Sequence, residues 1–516
     1  MIEESGKSAV AALILFGALP LVAAVKMADP FADGMVLQRD MPVPVWGTAN
    51  PGEKVTVSFS GESVQAVAGT DGKWLCKLPA LKMSREPHEL VAAAADSKQI
   101  ACDVLVGDVW FVSGQSNCEF PLCSDNPHFS DRNGAAIASI THMPLVRYCY
   151  QSDYKISALP KTRAALPVEW RRFEPKNLLA RPSFSAIGFY FAMHVHQASG
   201  VPLGLVGAYW GGTGIDSWTP REGTASRPDL KDILDFPVSE DWDGVNPKSI
   251  FRYNRKRDQP AVLFNEMVNP WCPLAMKGLV WYQGCTNSRE PERYCSKMHA
   301  LYNGWSQKFK NPDMRLYFAQ LAPWGFEGIA KIQEAQAQFE REQPKSGMAV
   351  INDIGNLTDI HPNEKGTVGL RLARIALKRD YGFADIEENS PRLKTWRVEG
   401  DSFLLDFEHA ERLYVYTRNY SADAPFEVAG SDGVFKPARI VNAIVDTAGS
   451  GKNARKEYRG RIEGSSRIVV KSDEVSKPVS LRYCHSRPWI GTVYNEANLP
   501  LGAFHVAESG NGGAAD

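Results

Sequence analysis

The tetrapeptide Gly114-Gln115-Ser116-Asn117 follows directly on the apolar run Val109–Val112, which has the length and composition of a buried strand. Ser116 therefore sits at a strand-to-helix corner, where small and polar neighbours expose its hydroxyl and turn backbone N–H groups towards whatever approaches. A serine hydroxyl is a weak nucleophile that needs a base, usually histidine, itself oriented by a carboxylate. Of the ten histidines, only His361 lies just beyond a candidate strand with an acid, Asp359, two positions before it. Pro362 suits the first position of a helix opened by His361. The positive end of that helix lowers the imidazole pKa, while Asp359 raises it again as charge develops. Gly211-Gly212 permits close backbone approach, and Asn287 offers a side-chain amide. Together with the Ser116 N–H, Gly211 and Asn287 make a candidate oxyanion hole.

Bringing these groups together is the task of a parallel sheet. Apolar runs of strand length alternate with helical patterns: Val109–Val112, Gly204–Tyr209, Leu279–Tyr282, Leu316–Leu321 and Met348–Ile351. Ile187, Phe191 and Val195 share one helical face, "IAKIQEAQAQFERE" is a second helix, and Val368, Leu372, Ile375 and Ala376 keep helical spacing. That alternation predicts an α/β core with helices on both faces of the sheet. Four of the five strands run into "SGQSN", "WGGTGIDSW", "QGCTNS" and "NDIGNLTDIHPNEKG". In open parallel sheets ligands bind at the carboxyl edge, so clusters far apart in sequence converge on one crevice.

At 516 residues the chain exceeds one ordinary core. Residues 28–106 carry short alternating runs split by Asn-Pro-Gly and Asp-Gly turns and predict a β-sandwich. The expected α/β domain is 107–398, followed by a β-rich domain over 399–516. Residues 1–27 contain the apolar stretch Ala9–Val25, a secretory signal cleaved near Ala24 or an uncleaved anchor. Both place the body in a secreted, periplasmic or cell-surface location, with no other membrane association. A net charge of -1 gives no electrostatic ground for a nucleic-acid partner. Nine cysteines cannot all pair within one chain. Cys118 and Cys123 are close enough in sequence to bridge. His194 and His196 fall on nearly opposite helical faces, and no spacing predicts a metal.

The blocks "GDVWFVSGQSN", "GGTGIDSW", "WYQGCTNS" and "DIHPNEKGTVGLRLA" together resemble the sialate O-acetylesterase family of the SGNH-hydrolase superfamily. The resemblance extends to "DPFADGMVLQRDMPVPVWGTANPGEKVTV", "FEVAGSDGVFKPA" and "PVSLRYCHSRP". It implies a three-layer parallel-sheet SGNH-hydrolase core with β-rich flanks. Ser116 becomes the nucleophile, Gly211 and Asn287 oxyanion donors and His361 the base, with an acetylated glycan as substrate and no cofactor. Cys118 and Cys285 stand where the family often has methionine and glutamate. The usual Asp-x-x-His appears as Asp-Ile-His, so the third member is Asp359, Asp353 or no carboxylate. Gln115 and Gln283 within the blocks, Trp210 as a stacking surface, and Arg221 and Arg289 as cations for a sialate carboxylate are the candidate substrate contacts. Trp218 and Trp281 either stack on sugar or fill the core. Relatives with these blocks deacetylate plant polysaccharides, so an acetyl xylan or pectin esterase is the first alternative. A catalytically inactive carbohydrate-binding protein is the second, and a lipase or thioesterase on the same core the third.

Overall fold

A computed structural model of the protein describes residues 24–508 apart from 152, 182, 242–254, 326, 419–424, 449–456, 463–465 and 486–488. Six strands run parallel in the order Met143–Gln151, Leu203–Tyr209, Lys98–Gly114, Gly278–Tyr282, Arg315–Ala319 and Ser346–Ala349, and Arg171–Phe173 joins one edge antiparallel. All five apolar runs read from the sequence lie in or overlap these strands. The strand Met143–Gln151 escapes a hydrophobicity pattern because Arg147 sits in its middle. Its guanidinium is buried and forks onto Asp103 at 2.6 and 3.2 Å, which makes a charged residue compatible with a covered strand.

Helices Ala186–Ser199 and Lys365–Asp380 pack on each other, and Tyr294–Lys308 packs against Glu327–Glu342. Ile187, Phe191, Val195, Val368, Leu372, Ile375 and Ala376 are all buried, as their spacing requires.

The boundary expected at residue 107 falls inside one strand. Lys98–Gly114 pairs along its first half with Ser84–Ala93 and Val36–Gln38, and along its second half with the parallel strands. One apolar core accordingly extends from Val25 to Ala376. The C-terminal β region begins with Arg392–Glu399, ahead of residue 399, and has its own core built on residues such as Phe403, Ile468 and Leu481. All nine cysteines are free, Cys118 and Cys123 included. Among the described residues no helix is long and apolar enough to cross a membrane. The stretch read as signal or anchor lies, up to residue 23, outside them.

Candidate active site

The corner that presents Ser116 depends on a glycine. Gly114 has φ of +145°, and a side chain there would meet the Tyr282 carbonyl oxygen at 2.2 Å, so only glycine lets the two strands approach this closely. The Gln115 N–H then donates to that carbonyl at 3.0 Å, and Ser116 opens the one-turn helix Ser116–Glu119. Ser116 is half-buried. Its Oγ lies 2.9 Å from His361 Nε2, across 245 positions of chain.

His361 comes from the loop between Ser346–Ala349 and Lys365–Asp380. Asp359 Oδ1 accepts the His361 backbone N–H at 2.9 Å and lies 3.4 Å from its Nδ1. A proton on Nδ1 facing Asp359 leaves Nε2 as the acceptor for the serine hydroxyl. The rings of Phe120 and Phe129 stand 6.3 and 5.3 Å from the imidazole, centre to centre. Burial, then the Lys365 charge, lower the His361 pKa, against a rise from Asp359.

Two expectations about this loop are corrected. His361 does not open a helix, which starts at Lys365. Residues 362–364 stay non-helical because the Asn363 carbonyl accepts the Arg132 N–H at 2.9 Å, and the Lys365 N–H is taken by Asp131 Oδ2 at 3.0 Å. Asp353 does not face the imidazole: its two carboxylate oxygens hold Arg371 at 2.6 and 2.7 Å.

The expected oxyanion donors are both engaged. The Gly211 N–H donates to Glu119 Oε2 at 2.5 Å, and Ser116 Cβ lies only 3.3 Å from where a Gly211 side chain would start. The Asn287 amide oxygen accepts from Ile215 N–H at 3.1 Å and Gln283 Nε2 at 2.8 Å, and its nitrogen lies 3.4 Å from Glu290 Oε1.

Gln115 and Gln283 are buried ties, not surfaces for a ligand. Gln115 Oε1 accepts from the N–H groups of Gly284 and Thr286 at 3.1 and 3.4 Å, lashing the serine corner to the Cys285–Asn287 turn. Gln283 donates to the Thr213 carbonyl at 3.0 Å and to Asn287, and accepts from the Tyr294 hydroxyl at 2.8 Å. Arg221 donates to the Leu234 carbonyl at 2.7 Å, capping a short helix, and Arg289 is exposed beyond the Asn287 turn. Trp218 and Trp281 are fully buried in the core, whereas Trp210 is half-exposed beside Gly211. The replacements Cys118 and Cys285 are thiols whose pKa burial raises, that of Cys285 to about 12, so neither is ionised at neutral pH.

Residues 106–378 match the family of carbohydrate esterases described as sialic acid-specific acetylesterases. The chain belongs to that family. The match spans Ser116, Gly211, Asn287 and His361. The structure is similar to that of a carbohydrate acetylesterase from Xanthomonas citri, with a TM-score of 0.77 and 30% identity over 94% of this chain and 99% of that one. The sialate O-acetylesterase of Homo sapiens is 26% identical over 433 residues, 76% of this chain and 78% of that protein. That of Rattus norvegicus is 26% identical over 436 residues, covering 75% and 79%.

Three residues of this family member's site carry no sequence signal strong enough to single them out. Lys365 is fully buried, donates to Asn117 Oδ1 at 2.5 Å and lies 4.4 Å from the centre of the Phe120 ring. Desolvation brings its pKa down to about 7. Asn117 in turn donates to the Ile360 carbonyl at 3.0 Å, so the pair fastens the histidine loop to the serine helix. Glu119 spans Gly211 and the Tyr154 hydroxyl. Arg257 lies over Trp210. Apart from this site, Cys295, His299 and Glu342 cluster within 4.8 Å of one another on two packed helices, with His299 Nε2 held by Glu342 at 2.8 Å.

Proposed function

We propose that the protein removes O-acetyl groups from sialic acids or related acetylated glycans through an acyl-enzyme. Ser116 Oγ attacks the acetyl carbonyl carbon as His361 Nε2 takes the hydroxyl proton, and Asp359 stabilises the imidazolium. The carbonyl electron pair moves to oxygen, which receives N–H donation from Ser116 and from Gly211 once Glu119 yields, with the Asn287 amide as the third donor. Collapse expels the sugar oxygen, protonated by His361. Water, deprotonated by the same imidazole, then attacks the acetyl-serine and releases acetate. We read the core as the SGNH-hydrolase type. The Ala9–Val25 stretch is an export signal or anchor, which suits a glycan too large to import.

The observation that carries this reading is the 2.9 Å contact between Ser116 Oγ and His361 Nε2. Acetate release from acetylated sialosides, xylans and pectins, measured for wild type and Ser116→Ala, tests it. A loss of about 10³-fold or more is expected in the variant, and equal turnover by the two proteins sinks the mechanism. The engaged Gly211 N–H favours one second reading, a carbohydrate-binding protein that does no chemistry. That reading predicts glycan binding without acetate release by the wild type.

A further inference from the structure

Among the described residues Arg257 is a cation with no ion-pair partner in contact, the carboxylates of Asp258 and Glu119 acting on it only at longer range. Its guanidinium carbon lies 5.0 Å from the centre of the Trp210 ring, and an Nη2 lies 3.6 Å from where a side chain on Gly212 would begin. Its buried Nε has no hydrogen-bond partner, and among the described residues it forms no ion pair within 4 Å. The neighbouring Arg255 is spent: it holds Asp258 at 2.8 and 2.9 Å and donates to the Gly212 carbonyl. Burial, followed by the like charge of Arg255, holds Arg257 below the usual guanidinium range, so an added anion relieves it.

The place of this cation matters as much as its freedom. The Trp210 N–H donates to the Gly114 carbonyl at 3.2 Å, and Gly211 abuts Ser116. Tyr154 packs on Trp210 with ring centres 5.1 Å apart and donates to Glu119. Arg257 therefore stands across one tryptophan from the serine corner. Stacking on an indole fixes the guanidinium plane, and its planar donor fork matches a carboxylate through two parallel hydrogen bonds.

We propose that Arg257, held on Trp210, receives the carboxylate of an acidic acetylated sugar, so that the enzyme selects sialic or uronic acid residues over neutral acetylated sugars. This rests on the esterase reading above. Arg257 then takes the role that the sequence suggested for Arg221 and Arg289.

The test compares wild type, Arg257→Gln and Arg257→Lys on an O-acetylated sialic acid, its carboxyl methyl ester, acetylated pectin, acetylated xylan and p-nitrophenyl acetate. Wild type is expected to lose about 10- to 100-fold in kcat/KM when the sialic acid carboxylate is esterified. Arg257→Gln loses the same factor on the free acid, mainly through KM, and nothing on the methyl ester, xylan or p-nitrophenyl acetate. Arg257→Lys falls between, because it keeps charge without the fork. The same pattern on pectin alone identifies the sugar as a uronic acid. The inference is overturned if neither acidic substrate depends on Arg257, or if Arg257→Gln slows p-nitrophenyl acetate equally. The ester comparison needs no variant, so misfolding cannot mimic the dependence on the carboxylate, and a circular dichroism spectrum and thermal unfolding midpoint equal to wild type confirm that Arg257→Gln is folded before its p-nitrophenyl acetate rate is read. No hydrolysis of any substrate by wild type overturns the esterase reading and this one together, whereas carboxylate-independent hydrolysis overturns this one alone.

Discussion

The carboxylate of Glu119 accepts the Gly211 N–H at 2.5 Å, with the Tyr154 hydroxyl on its other oxygen at 2.6 Å. A donor expected to serve a developing oxyanion is thus held by a resident anion, which also anchors the loop that follows Tyr209. Glutamine at 119 keeps an acceptor but gives up the N–H more cheaply, since a charge-assisted hydrogen bond is roughly twice as strong as a neutral one. Alanine leaves the loop untied. Glu119→Gln is expected to match or exceed wild-type kcat on p-nitrophenyl acetate, and Glu119→Ala to fall about 10-fold in kcat/KM. A Glu119→Gln enzyme as impaired as Glu119→Ala shows that the charge itself is required.

The pH profile reports on Lys365. His361 works as a base only when neutral, and burial together with the Lys365 charge lowers its pKa from the ordinary histidine value. Lys365, with a pKa of about 7, is mostly protonated in the range where His361 titrates, below the ordinary histidine value. Replacing it with methionine removes the repulsion, so the His361 pKa rises and the acid limb of kcat/KM moves to higher pH. Asp359→Asn removes an attraction and moves the limb to lower pH. The two shifts must have opposite signs, and a pair of equal sign contradicts the electrostatic assignment.

The choice between carboxylates is tested by a second pair. Asp353 is committed to Arg371, whose Nη1 also donates to the Val350 carbonyl at 2.9 Å. Asp353→Asn is therefore expected to lower stability by about 3 kcal/mol, the cost of leaving a buried guanidinium unpaired, without moving the acid limb. Asp359→Asn moves the limb with little change in stability, because Asp359 is partly exposed. Urea unfolding followed beside kcat/KM against pH separates the two effects.

How far the sequence reaches follows from which contacts are local. Ser116, Gly211, Asn287 and His361 each follow an apolar run, and a parallel sheet sends all such ends to one edge, so their neighbourhood was readable as a pattern. Trp210 was readable for the same reason. The strand around Arg147 was not, since its compensating Asp103 lies in another strand. Gln115 and Gln283 look like ligand contacts because polar residues in a motif usually face outward, and only the three-dimensional crossing of strand ends shows that Gln115 satisfies the turn after Gln283 while Gln283 satisfies Thr213, Asn287 and Tyr294. Arg257 belongs to the charged run "NRKRDQP", which reads as a solvated face. Nothing in its own neighbourhood indicates the indole it covers.

The glutamine ties carry a stability cost that activity alone does not expose. Gln283 is fully buried, with its nitrogen on the Thr213 carbonyl and Asn287 and its oxygen on the Tyr294 hydroxyl. Leucine at this position fills a similar volume yet takes the amide donor from the Thr213 carbonyl, at about 1–3 kcal/mol, while the Asn287 amide oxygen keeps the Ile215 N–H and the Tyr294 hydroxyl keeps the residue 283 carbonyl. Glutamate keeps an acceptor for Tyr294 but places a charge in a dry site facing two oxygens, which is worse. Thermal unfolding is expected to rank wild type above Gln283→Leu and that above Gln283→Glu. At a temperature where all three remain folded, kcat on p-nitrophenyl acetate should fall in the variants through loosening of Asn287, while the pH of the acid limb stays fixed because His361 is supported from elsewhere. A displaced limb in Gln283→Leu contradicts that separation between the Asn287 turn and the histidine loop.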